Sequence, residues 1–175
     1  LEEAHDLGVV HGALKPRNIF LVRRPKGQVS TRVLDFATHR LLTPGAAAGP
    51  PGAIGVPDAS YLAPEQFRGG GSTAADIYAL GVMLYEMLTG RPPFRGETVV
   101  ETLIQVVRNE PLRPRHLRPG TPRDLEAITL KCLEKQPQQR YRTAAELADD
   151  LQRYLEGLPI QARHIGFVGR TIRWA

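Results

Sequence analysis

The sequence predicts a mainly α-helical domain of the α+β kind: a helical body around one buried helix, carrying a small β-hairpin. Three observations predict it. Residues 73–89 place Ile77, Tyr78, Leu80, Val82, Met83, Leu84, Tyr85, Met87 and Leu88 almost all round one helix, and a helix without a polar face belongs in the middle of a domain. Four threonines each precede an acid by three positions: Thr73 and Asp76, Thr98 and Glu101, Thr121 and Asp124, Thr143 and Glu146. That spacing starts helices, because the hydroxyl oxygen accepts an orphan backbone N–H. Two short apolar runs, 19–22 and 31–34, flank the charged turn Arg23-Arg24-Pro25-Lys26-Gly27, the pattern of a hairpin. With 175 residues, 42% of them hydrophobic and 23% charged, the chain can bury the core of one domain.

In chain order, residues 1–7 form an amphipathic helix that stops at Gly8, a residue suited to the left-handed position after a helix. Residues 9–18 read Val-Val-His-Gly-Ala-Leu-Lys-Pro-Arg-Asn and lead directly into the hairpin. Polar loops beside strands are where such folds expose chemistry. Lys15 can hold an anion, and Asn18 can offer a carbonyl oxygen to a hard cation. Asp35-Phe36-Ala37 follows the second strand. Residues 43–55 are rich in Ala, Gly and Pro without periodicity and read as a mobile loop.

Order returns at Ser60-Tyr61-Leu62-Ala63-Pro64-Glu65-Gln66, and the rest is helical. Three amphipathic helices should pack their stripes around the central one. The first stripe is Val99, Val100, Leu103, Ile104 and Val107; the second is Leu125, Ile128, Leu130, Cys132 and Leu133; the third is Leu147, Leu151, Tyr154 and Leu155. Thr121-Pro122 places a proline at a first helical position, and Gly90 and Gly157 stand where two helices should stop. The domain is expected over 1–157, with 158–175 a basic tail or linker. Arg163, His164, Arg170 and Arg173 beside Phe167 and Trp174 suit proximity to a membrane surface.

A net charge of +5 and a pI near 9.7 read as a solvated basic surface. Nucleic acid is not an expected partner, because the cations are scattered and no stacking platform is visible. Cys132 is the single cysteine, so no intramolecular disulfide forms. It lies in an apolar pattern and reads as an inert core thiol, with a reducing, cytoplasmic compartment expected. No signal peptide is expected, and no apolar run here is long enough to span a bilayer. The chain begins with Leu inside a helix, so a fragment of a longer protein is expected.

Residues 9–18 resemble the catalytic loop of protein kinases, His-Arg-Asp-Leu-Lys-Pro-x-Asn. Further motifs follow in the same order. Asp35-Phe36-Ala37 resembles Asp-Phe-Gly, and Ala63-Pro64-Glu65 resembles Ala-Pro-Glu. Asp76-Ile77-Tyr78-Ala79-Leu80-Gly81 resembles the start of the family's central helix, and Thr89-Gly90-Arg91-Pro92-Pro93-Phe94 its exit. Cys132-Leu133-Glu134-Lys135 with Arg140-Tyr141 resembles the stretch before the last helix. To about Gly157 the chain is similar to the C-terminal lobe of eukaryotic-type protein kinases, most of all the bacterial receptor-like serine/threonine kinases.

The resemblance implies ATP and Mg2+ as cofactors of an intact parent, and a protein substrate or regulatory protein partner. It implies that Asn18 and Asp35 bind the metal and that Lys15 positions the transferring phosphoryl group. His11 keeps the loop's shape, Asp76 accepts hydrogen bonds from its backbone, and Glu65 pairs with Arg140 as a buried ion pair. The family's N-lobe is expected to lie outside this stretch, which shows no Gly-rich phosphate loop, strand lysine or partner glutamate. The fragment alone should therefore bind no nucleotide or bind it weakly. A receptor-like parent would be membrane-anchored, with its kinase domain on the cytoplasmic side.

Four departures bear on activity. Ala13 stands at the catalytic Asp and Gly12 at the preceding Arg. Ala37 stands at a Gly. Val56 stands at a Thr that bonds the catalytic Asp and Lys, in a segment, 55–61, that is longer by two residues. A lost general base costs about 10²–10⁴ in rate. The expectation is a pseudokinase-like regulatory or interaction module. The alternative is an active ATP- and magnesium-dependent serine/threonine kinase with an atypical loop.

Overall fold

The computed structural model describes residues 1–24, 27–36, 56–69 and 71–162. The expectations for 43–55, Ala37, the Val56 side chain and the tail residues from Arg163 onward lie outside these. Helix α1 (Glu2–Asp6) leads through the polar loop into strands β1 (Ile19–Arg23) and β2 (Val29–Val33). These pair antiparallel, with Ile19 opposite Val33 and Arg23 opposite Val29. Beyond a short α2 (Val56–Ala59) and a 3-10 helix at Pro64–Arg68 come α3 (Thr73–Thr89), α4 (Val99–Arg108), α5 (Pro114–Leu117), α6 (Arg123–Cys132) and α7 (Ala144–Leu155).

The hairpin's second strand starts at Val29, two residues ahead of the apolar run. Strand pairing follows the backbone, and apolar side chains mark only the part that packs. Leu34 is already past the strand, where its N–H donates to the Asn18 carbonyl at 2.9 Å.

Helix α3 is the buried centre. Ala75, Ile77, Tyr78, Ala79, Val82, Met83 and Tyr85 are all buried, and only toward its end does Met87 reach solvent. Each fully buried large apolar side chain favours folding by about 1.5–3 kcal/mol. Three apolar clusters meet on this helix. Tyr78, Val82 and Tyr85 pack with Phe94, Val106 and Leu133. Ile77 packs with Ile128, Cys132, Tyr141 and Leu147. Ala79 and Met83 pack with Leu14, which couples the polar loop to the centre of the domain. Helix α6 crosses α3 at Gly81, where a Cβ would lie 2.4 Å from the Cys132 Cβ. Cys132 is fully buried, and burial pushes its thiol up to about 12.

Two of the four threonine caps form. Thr98 accepts the Glu101 N–H and Thr143 accepts the Glu146 N–H, each at 3.1 Å. Thr73 and Thr121 do not cap: α3 is N-capped at Ser72 and α6 at Pro122, neither through a side chain. Pro122 therefore precedes α6 instead of opening it. Asp76 turns its carboxylate away from the helix start toward other donors.

The α4 stripe is also corrected. Thr102 and Val106 are the buried residues, while Val100, Ile104 and Val107 face solvent. The helix docks by one edge, with the Thr102 hydroxyl donating to the Thr98 carbonyl and accepting the Gly96 N–H. Leu155 likewise faces solvent. Within α7, buried Asp150 accepts from the Tyr141 hydroxyl and from the Gln161 and Ala162 N–H groups, which seats Ile160 and Ala162 on the core. No helix of the described residues is long and apolar enough to cross a membrane.

Candidate active site

The polar loop of residues 9–18 is fastened from below by the first turn of α3. Asp76 is fully buried, and a carboxylate removed from water needs donors. It has three: the His11 N–H at 2.9 Å, the Gly12 N–H at 2.8 Å and the His5 Nε2 at 2.9 Å. Gly12 takes a left-handed backbone, φ +74, which glycine adopts without the strain a side chain would bring. Its carbonyl accepts from the Gln66 amide at 2.6 Å, and the Gln66 Oε1 accepts the Ala63 N–H at 2.8 Å. The segment of Ala63-Pro64-Glu65 is thereby tied to the loop.

His11 is fully buried and stitches the loop to the end of the hairpin. With its hydrogen on Nε2, it donates to the Leu34 carbonyl at 2.9 Å and accepts the Ala13 N–H on Nδ1 at 3.3 Å. Its ring packs 4.8 Å from that of Phe36. Glu65 and Arg140, 75 residues apart, meet as a bidentate pair at 2.7 and 2.8 Å. Arg140 also donates to the carbonyls of Ala74, Glu134 and Lys135 and lies over the Tyr78 ring.

The remaining site residues form two pairs. Asn18 donates from Nδ2 to the Asp35 Oδ2 at 2.8 Å. That orientation leaves the Asn18 Oδ1 buried, with no hydrogen-bond partner among the described residues. Asp35 is exposed and takes φ +63, the single non-glycine residue with positive φ among those described. Such strain at a side chain with ligand chemistry is a mark of functional sites. Lys15 pairs with Asp58 of α2, Nζ to Oδ2 at 3.0 Å. Ala13, Leu14, Lys15, Asp58, Tyr61 and Leu62 line one open pocket. The Tyr61 hydroxyl donates to Glu86, and burial together with that carboxylate raises its pKa.

Three participants escaped the sequence reading: His5, Gln66 and Asp58. His5 and Gln66 reach partners 71 and 54 positions away, and nothing local marks them. Asp58 had a weak signal, an acid three residues before Tyr61 in a segment that should face the loop. From this segment it is Asp58 that reaches Lys15.

A carboxylate, a buried amide oxygen, a lysine and a histidine-braced loop can together hold a hard cation and an anion. Among the described residues there is no cluster of three or more His, Cys, Asp or Glu able to hold a metal by itself. Comparison with known proteins bears directly on this chemistry. The family model described as protein kinase domain matches residues 1–151. The chain is 39% identical over 163 residues, 93% of its length, to the serine/threonine-protein kinase PknB of Mycobacterium tuberculosis and to that of Mycobacterium leprae. It is 39% identical over 158 residues, 90% of its length, to that of Mycolicibacterium smegmatis. It spans about a quarter of the length of these relatives, 25% in each case.

Proposed function

The chain belongs to the protein kinase domain family, and we propose that it is the C-terminal lobe of a serine/threonine protein kinase impaired in phosphoryl transfer, serving as a regulatory or interaction module. One observation carries this reading: Ala13 stands in a loop whose backbone N–H groups at His11, Gly12 and Ala13 are all bonded. A methyl group can neither orient a substrate hydroxyl nor accept its proton. The family's general base is therefore missing from a site that kept its shape.

The family uses ATP and Mg2+. The Asn18 Oδ1 and the Asp35 carboxylate are hard oxygen donors, and a buried amide oxygen without a partner is what a cation would satisfy. Magnesium is commonly held by one or two protein oxygens plus phosphates and water, so these two suffice. When bound, the metal neutralises charge on the nucleotide phosphates. The chain's own share is to fix those oxygens: Asn18 orients Asp35 through the Nδ2 bond. Lys15 gives one of its three N–H donors to Asp58, which leaves the others for a phosphoryl oxygen. These retained ligands also favour a second reading, an active kinase of atypical loop.

Phosphate transfer from ATP to a generic basic substrate by the full-length protein decides between them. Ala13→Asp should raise the rate by about 10²–10⁴. Turnover by the native protein as fast as that of Ala13→Asp, and lost in Asp35→Ala, would overturn the impaired reading.

A further inference from the structure

The geometry points to a replacement for the missing acid: we propose that Asp58 orients the substrate hydroxyl and takes its proton in the slow phosphoryl transfer that remains. This rests on the reading above and gives that residual rate a cause.

Asp58 arrives from α2, a separate segment from the loop, and its Oδ2 lies 3.0 Å from the Lys15 Nζ. Lys15 is two residues beyond Ala13. Ala13, Lys15 and Asp58 line the same open pocket, and Asp58 is the one acid among its lining residues. The pocket that Ala13 leaves without a loop carboxylate thus holds one from a separate segment.

Exposure separates Asp58 from the acids that merely hold the fold. Asp76 and Asp150 are sealed, at 0% and 1%, and each accepts three hydrogen bonds. The Asp58 side chain is 27% exposed and that of Lys15 22%, so both can be reached from the pocket. The backbone beneath is nonetheless firm. Ala59 and Ser60 are fully buried. The Asp58 carbonyl accepts the Tyr61 N–H at 3.2 Å and the Ala59 carbonyl the Leu62 N–H at 3.3 Å. Tyr61 is itself anchored to Glu86. A carboxylate on such a base keeps its aim.

The step balances as follows. The substrate hydroxyl oxygen bonds to the γ-phosphorus of the substrate ATP, and the bond from that phosphorus to the β,γ-bridging oxygen breaks with its electron pair leaving on ADP. The hydroxyl proton passes to an Asp58 oxygen and then to water. Protonating Asp58 removes the counter-charge on Lys15 as the phosphoryl oxygens come within its reach, so proton transfer and phosphate stabilisation support each other.

The test is made on the full-length protein with Asp58→Asn, Ala13→Asp and the double variant. Phosphate transfer is followed across pH, and acylation of Lys15 by a small amine reagent is measured without nucleotide. Asp58→Asn should lower the residual native rate about tenfold or more and remove the rise of that rate with deprotonation of one acid. It should cost much less in the Ala13→Asp background, where the loop acid is restored. Lys15 should be acylated faster in Asp58→Asn than in the native protein. The proposal is overturned if the native protein transfers no phosphate above background, or if Asp58→Asn matches or exceeds it, leaving the pair as a latch only. Equal losses in both backgrounds, or unchanged acylation of Lys15, overturn it too. Each of these leaves the impaired-kinase reading standing, which only fast native turnover removes.

Discussion

Asp76 and Asp35 are carboxylates of one site, held in opposite ways. Asp76 is sealed from solvent, and three donors converge on it. Asp35 is exposed, receives the Asn18 amide and sits on a left-handed backbone that a non-glycine residue rarely takes. The same contrast runs through the region around each. In the frame, made by Asp76, His11, Gly12, Glu65 and Arg140, polar groups find partners and change is expensive. In the centre, made by Ala13, Lys15, Asn18 and Asp35, an amide oxygen is left over and the backbone is strained. Satisfied networks specify geometry, while unsatisfied ones signal a ligand or a lost task. A change of side chain at position 13 does not draw on the bonds that hold the frame, which Ala13 enters through its backbone N–H.

The hardest test of that contrast is Arg140→Met. It strips a bidentate partner from Glu65 and a donor from three carbonyls. Breaking a buried ion pair by removing one member costs about 3–5 kcal/mol. Denaturant unfolding should show a loss of that order, and a smaller loss in the double variant Glu65→Gln, Arg140→Met, where no carboxylate is left stranded. Asp35→Asn, in the centre, should move stability by no more than about 0.5 kcal/mol. Equal losses at the two sites would erase the distinction between frame and centre.

Comparable in size is Asp76→Ala. The His11 and Gly12 N–H groups would lose their acceptor inside the protein, at about 1–3 kcal/mol for each group left unsatisfied. Hydrogen exchange should report it locally, with those two amides losing protection while the α6 and α7 amides keep theirs. Uniform loss across the domain would mean that Asp76 supports the whole fold and not this loop in particular.

What the sequence allowed to be read follows the range of each interaction. The central helix was legible because its apolar positions lie within one stretch of 17 residues. The Thr98 and Thr143 caps were legible because donor and acceptor are three residues apart. The Thr73 start failed because its acid was claimed by the polar loop, a contact across 64 residues or more. The outward turn of Val100 and Ile104 was not legible because period tells that a helix has an apolar face, not whether a neighbour covers it. In the site, Lys15, Asn18 and Asp35 stood out by chemistry beside a recognisable loop. Asp58 did not, since its partner depends on how a separate segment folds back.

The smallest expected effect lies where frame meets solvent, at Lys135. Its ammonium donates to the Val106 carbonyl at 2.6 Å and sits 4.1 Å above the Phe94 ring. Burial is the main reason that its pKa falls to about 8 from 10.5, and nearby Glu110 opposes the shift. A lysine that binds its proton less tightly when folded makes the unfolded state the better proton acceptor between those two values. Stability therefore rises with pH across this window, and the gain is withdrawn as pH falls through about 8. Cys132 pulls the other way only above its ordinary value of 9.0, because its folded thiol stays protonated up to about 12. The clean interval is thus between the two onsets, pH 8 to 9. Over it, the melting temperature of the native protein should climb relative to Lys135→Met, which keeps the packing on Phe94 but has no proton to lose. Parallel curves for the two proteins would mean that solvent reaches the ammonium freely and that Lys135 belongs to the surface.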